Sequence, residues 1–179
     1  MIPNAEDCLA LHVKYGSGER VVSHCRTVAR VSISLADAIS TKGRKVDKRA
    51  ILAGAMLHDI GRSRIQTVAH GYIGAGILEG EGVDGVVVEI VRRHVGAGIS
   101  TKEAKALGFP EGDYVPSTLE QKIVCFADKM VSSDSVRPLE EEVRRFERKG
   151  HDVQPLLSLK RDLQEAVGDD PERIVLTLD

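Results

Sequence analysis

Ile51-Leu52-Ala53-Gly54-Ala55-Met56-Leu57-His58-Asp59-Ile60-Gly61 is apolar for seven residues and then sets an imidazole beside a carboxylate. Seven residues fall far short of the roughly 20 that cross a bilayer. The stretch therefore reads as the core-facing part of a helix in a soluble protein, delivering His58 and Asp59 to the edge of the core. On both sides of it the apolar residues recur at helical spacing: Val21, Cys25, Val28, Ser32, Leu35 and Ile39 in one segment, Leu119, Ile123, Phe126, Ala127 and Met130 in another. That period is 3.6 rather than 2. Helices are expected at 4–15, 19–41, 47–60, 71–80, 84–94, 100–107, 117–132, 138–149, 154–167 and 171–176, giving an all-α bundle.

Boundary residues agree with this reading. Ser100 with Glu103, and Ser117 with Glu120, have the spacing of capping boxes, in which hydroxyl and carboxylate satisfy amides of the first turn. Gly108 before Pro110, and Gly150 after Arg148-Lys149, mark helix ends, and Pro138 and Pro171 suit first-turn positions. Val86-Val87-Val88 is the only β-like run, and Asp84 can cap it as a helix. Nine of the 17 glycines lie from Gly61 to Gly98, which points to tight turns or close backbone approach there, the place to look for a site.

The composition narrows the function classes. The 179 residues carry 25 Lys+Arg against 27 Asp+Glu, a formal charge of −2, so no electrostatic footprint for general nucleic-acid binding is present. Aromatic residues are 3% of the chain, which leaves one or two rings for base stacking. The first residues lack a basic and apolar leader, and the expected compartment is the cytoplasm. Cys8, Cys25 and Cys125 form no CxxC, so they read as buried thiols rather than zinc ligands or a disulfide framework. Gly16-Ser17-Gly18 lacks the Lys-Ser/Thr of a phosphate-binding loop and is a turn.

The remaining polar signals are histidines and aspartates. His24 lies in line with Val28, Val31 and Leu35 on an apolar face, where it is either a hydrogen-bonded core histidine or a ligand. The pair His58-Asp59 is weak by itself, since His151-Asp152 repeats it in a charged turn. Asp128, inside Ile123-Val124-Cys125-Phe126-Ala127-Asp128-Lys129-Met130, needs a partner: Lys129, water at a helix edge, or a metal. His70 opens the glycine-rich segment His70-Gly71-Tyr72-Ile73-Gly74-Ala75-Gly76, and His94 closes its helix, where the helix dipole alone could explain it. Taken in order, His24, His58-Asp59, His70, His94 and Asp128 form an all-nitrogen-and-oxygen donor set. It suits Fe, Mn, Mg, Co, Ni or Zn, with more groups than one tetrahedral ion uses.

This order resembles the HD-domain superfamily of metal-dependent phosphohydrolases, whose signature is His, then His-Asp, then Asp, here His24, His58-Asp59 and Asp128. His70 and His94 are similar to the binuclear branch, represented by YqeK-type diadenosine tetraphosphate hydrolases and HD-GYP proteins. The resemblance covers about residues 19–132 and implies a single HD-domain-like helical bundle over 1–179, with further helices at about 138–176. It implies one divalent ion on His24, His58, Asp59 and Asp128, and a second bridged by Asp59 and held by His70 and His94. The implied chemistry is hydrolysis of a phosphoester or phosphoanhydride by water activated between two cations. Asp59 and Arg62 would carry the catalysis, and Arg62, Arg64 and Lys129 would hold phosphate, with Arg92 and Arg93 as weaker candidates. Many relatives have Lys shortly after the His-Asp pair, whereas this chain reads Gly61-Arg62-Ser63-Arg64. Gly71-Tyr72 is followed by Ile73, so cyclic di-GMP hydrolysis is not implied. The expected partner is a small phosphorylated substrate such as a nucleotide, with no membrane and with homo-oligomers open. The alternative is a regulatory module that binds metal or nucleotide without turnover.

Overall fold

Helical periodicity governs most of the computed structural model, in which residues 1–178 are described. The helices are α1 (Ala5–Tyr15), α2 (Glu19–Thr41), α3 (Lys48–Leu57), α4 (His70–Gly80), α5 (Gly85–Arg93), α6 (Thr101–Ala106), α7 (Leu119–Lys129), α8 (Leu139–Arg148), α9 (Gln154–Val167) and α10 (Pro171–Val175). A two-stranded antiparallel hairpin, β1 (Val131–Ser132) with β2 (Ser135–Val136), follows α7. The all-α expectation holds, and none of these helices is long and apolar enough to cross a membrane.

The apolar run beginning at Ile51 explains the centre of the bundle. Ala50, Ile51, Ala53, Gly54, Ala55, Met56 and Leu57 of α3 are all buried. α3 is surrounded by α1, α2, α5 and α7. Gly54 lets α5 come close, since a Cβ there would stand 2.5 Å from Ile90 Cγ2. The chain after β2 joins the same core through Leu139, Leu156, Leu159, Leu163 and Val175.

Three boundaries differ from expectation. The helix expected over 47–60 ends at Leu57 and gives way to a 3-10 turn, Ile60–Ser63, with Asp59 at φ −98° and ψ 11° between them. In an unbroken helix, neighbours point about 100° apart, and this break lets His58 and Asp59 serve one site. The helix expected over 117–132 ends at Lys129, because Ser133-Asp134 forms a two-residue turn between the paired Ser132 and Ser135. The cap expected at Ser117 sits at Thr118, which accepts from Gln121 N at 3.3 Å, while the Gln121 amide oxygen accepts from Thr118 N at 3.2 Å. Glu120 is used elsewhere, accepting from Asp47 N at 3.1 Å just before α3. The Ser100–Glu103 box forms as expected, and Gly108 and Gly150 take left-handed φ of 73° and 69° at their helix ends.

Candidate metal centre

Five elements bring their ends or faces to one point: α2 supplies His24, the end of α3 His58 and Asp59, the start of α4 His70, the residue after α5 His94, and α7 Asp128. Each histidine is oriented by a backbone carbonyl. His58 Nδ1 donates to Ala55 O at 2.8 Å, His70 Nδ1 to Thr67 O at 2.7 Å and His94 Nδ1 to Val91 O at 2.7 Å. In all three the acceptor is a carbonyl three residues upstream, at a turn or helix end. His24 reaches across the fold, donating from Nδ1 to Ser133 O at 2.8 Å. With the proton committed to Nδ1, each neutral ring presents a bare Nε2 lone pair.

The four Nε2 atoms converge on the two carboxylates. His70 Nε2 and His94 Nε2 lie 3.0 and 3.5 Å from Asp59 Oδ1, and 3.0 Å from one another. His24 Nε2 and His58 Nε2 lie 2.9 and 3.5 Å from Asp128 Oδ1, and His58 Nε2 is 3.8 Å from Asp59 Oδ2. Three overlapping triads have donor atoms within 4.8 Å of one another: His24, His58 and Asp59; His58, His94 and Asp128; Asp59, His70 and His94. Asp59, His58 and His94 each belong to two of them, so the three triads join into one continuous cluster of donors.

This set fits cations. His58 Nε2 is buried with no hydrogen-bond partner among the described residues. His70 and His94 press two lone pairs together at 3.0 Å, an arrangement that repels unless a positive charge lies between them. Burial pushes the His94 imidazole down to about 4, keeping it in the neutral form a ligand needs. Burial alone would raise both carboxyls. The imidazoles around Asp59, His58 foremost, and Lys129 beside Asp128 outweigh it and hold both well below the usual carboxylate range. Burial also opposes a charge on His58, yet Cys25 and Asp59 raise that imidazole well above its ordinary value, so without an ion a proton takes up the same negative field.

The other residues singled out from the sequence fall in different places. Arg62 donates from Nε to Asp59 Oδ2 at 2.6 Å, and Lys129 Nζ sits on Asp128 Oδ2. Both therefore face a carboxylate of the centre. Arg64 lies over the Tyr15 ring at 5.5 Å and makes no ion pair among the described residues. Arg92 is taken up by Glu79 and Glu89, and Arg93 by Glu89 and Asp113. His12, which the sequence does not single out, is structural: Nε2 donates to Met56 O at 2.7 Å and Nδ1 accepts from Ser17 Oγ at 2.8 Å. His151 packs against Phe146. All three cysteines are buried, and Cys125 donates to His94 O at 3.4 Å, steadying the turn that carries the ring. Ser133, at φ 59°, was not singled out, because its contribution is a carbonyl and the only signal is the polar turn Ser132-Ser133-Asp134-Ser135.

Comparison with known proteins places this geometry in a family. Residues 21–132 match the HD domain. The chain is 36% identical over 176 residues to a tRNA (cytidine(56)-2'-O)-methyltransferase of Thermoplasma volcanium, covering 97% of this chain and 51% of that protein. It is 37% identical over 179 residues to the protein of the same name in Picrophilus torridus, covering 99% and 51%. It thus spans about half the length of these curated relatives. An uncharacterized protein of Methanocaldococcus jannaschii is 43% identical over 131 residues, 73% of this chain and 78% of that one. Among solved structures, the HD domain of the L. monocytogenes phosphodiesterase PgpH superimposes with a TM-score of 0.61 at 15% identity, over 96% of each chain. The matched stretch runs from α2 through β1 and contains all six converging side chains, and the chain belongs to the HD domain family.

Proposed function

We propose that this chain is a metal-dependent phosphohydrolase with two divalent ions, acting on a phosphoester or phosphoanhydride of a nucleotide. One ion would be held by His24, His58, Asp59 and Asp128, the other by Asp59, His70 and His94. The observation that carries this reading is the convergence of four carbonyl-locked Nε2 atoms on two carboxylates. Four imidazoles favour Mn, Fe, Co, Ni or Zn over Mg, which prefers oxygen. Two such ions supply Lewis acidity, lowering the pKa of water and neutralising charge on a phosphoryl group. The protein's part is to fix the ligands: Asp59 Oδ1 faces His70 and His94 while Oδ2 turns towards His58, the orientation a shared carboxylate requires. Arg64, stacked on Tyr15 whose hydroxyl donates to Glu81 at 2.5 Å, keeps its N–H groups for phosphate oxygens.

The test is phosphate release by the chain loaded anaerobically with Mn²⁺ or Fe²⁺, offered mononucleotides, dinucleoside polyphosphates and tRNA bearing a terminal phosphate. Turnover abolished by chelation is expected. His70→Ala should lose about one of the two ions, as two-metal sites have separable ligand sets, and an unchanged metal count would remove His70 from the second site. The names of the two methyltransferase relatives favour a second reading, in which the domain serves an RNA-modifying protein as a metal-binding module without turnover. Two bound ions, tRNA binding and no phosphate release from any substrate would favour that reading.

A further inference from the structure

Each carboxylate of the centre turns one oxygen to two imidazoles and the other to a cation from its own segment, with His58 Nε2 a further 3.8 Å from the Asp59 oxygen that Arg62 holds. Asp59 Oδ1 faces His70 and His94 while Oδ2 accepts from Arg62 Nε at 2.6 Å. Asp128 Oδ1 faces His24 and His58 while Oδ2 holds Lys129 Nζ. The two cations differ from surface charges: the Lys129 side chain is 10% exposed and that of Arg62 32%. They are also near in sequence to their partners, three residues and one residue on, so the segment that brings each negative charge brings its compensation.

With the imidazoles in the neutral form that ligands take, the negative charges of Asp59 and Asp128 are already matched by Arg62 and Lys129. Metal bound there brings positive charge beyond what these two carboxylates, already paired, neutralise, inside a centre where Asp59 is 6% exposed. Uncompensated charge in a buried site is costly. An anion that enters with the metal removes the cost, and a dianion does so better than a monoanion.

We propose that Arg62 and Lys129 couple metal binding to anion binding, so that the centre holds its ions weakly alone and tightly with a dianionic phosphate. The substrate class that follows is a phosphomonoester or terminal phosphate rather than an internal diester. This rests on the two-ion reading above. The coupling is reciprocal, so metal tightens phosphate by the factor by which phosphate tightens metal.

Arg62→Gln isolates the charge, because the Gln amide nitrogen stands where Arg Nε stands and keeps the donor to Asp59. Lys129→Met removes the other charge at similar length, and circular dichroism melts check that each variant folds. Mn²⁺ binding is titrated by electron paramagnetic resonance for the wild type and both variants, with no addition, with inorganic phosphate, and with dimethyl phosphate as the monoanionic control. Expected is a tightening of about tenfold or more by phosphate, within the usual range of coupling between sites, and little by dimethyl phosphate. Arg62→Gln or Lys129→Met should bind Mn²⁺ alone more tightly than the wild type and show a smaller phosphate effect. Mn²⁺ affinity indifferent to phosphate, or weakened in both variants, overturns the coupling and leaves the metal centre standing. Absence of Mn²⁺ binding by the wild type under all three conditions overturns the metal centre itself.

Discussion

Asp59→Asn is expected to strip the centre of metal and to lower turnover by roughly three orders of magnitude or more, the scale on which removing one member of a catalytic unit acts. The helical circular dichroism should be retained. Asp59 belongs to two of the three donor triads, so in the proposed two-ion centre its loss weakens both ions at once. The amide has the shape of the carboxylate but no charge, and its N–H can donate to the lone pairs of His70 and His94, which the carboxylate leaves opposed. Arg62 loses its partner, but its side chain is a third exposed and can turn to water. Elemental analysis, phosphate release and a thermal melt of the same preparation check all three parts. An Asn variant that keeps two ions and its turnover removes Asp59 from the centre of the mechanism.

Gly61→Ala should be the most destabilising single methyl addition in the chain. A Cβ at Gly61 would stand 2.0 Å from His70 O, 2.7 Å from Gly74 N and 2.9 Å from His70 C, all backbone atoms that no rotamer change can move aside. The 3-10 turn and α4 would have to separate, at a cost of about 3 kcal/mol or more, the upper end for overpacking. For a chain of this size that lowers Tm by about 6 to 12 °C. It also moves His70 away from Asp59, so metal at the second site should fall as well. Gly76→Ala is the control: it lies on the exposed side of α4 with nothing within 4 Å of the added Cβ, and should be neutral or stabilising by up to about 1 kcal/mol. Melts of both variants in chelator separate the packing effect from the metal effect. Equal melting temperatures for the two would contradict the close approach.

Much of the helical frame was legible because its signals are local. The bounds of α2 and α9 follow from apolar periodicity and from the glycines at 18 and 168 that flank them. The early end of α3 was not legible, since Ile60 continues the apolar spacing; His70 and His94, remote in sequence, face Asp59 in the break. The cap expected at Ser117 falls one residue on, at Thr118, because Gln121 rather than Glu120 turns back onto the first turn. The candidate donors could be named because imidazole and carboxylate announce themselves by residue type and order. What orients them could not, because Ala55, Thr67, Val91 and Ser133 contribute backbone carbonyls, which every residue has. Arg62 and Lys129 were visible as cations near the motif, but sequence does not say whether a cation faces outward to a substrate or inward to a carboxylate.

The most direct test of the centre is its metal content. The wild-type chain is freed of metal with chelator, reloaded with Mn²⁺ or Fe²⁺ under anaerobic conditions in the presence of inorganic phosphate, desalted and submitted to elemental analysis. About two equivalents per chain is the expected result for a two-metal site; one equivalent or none contradicts it.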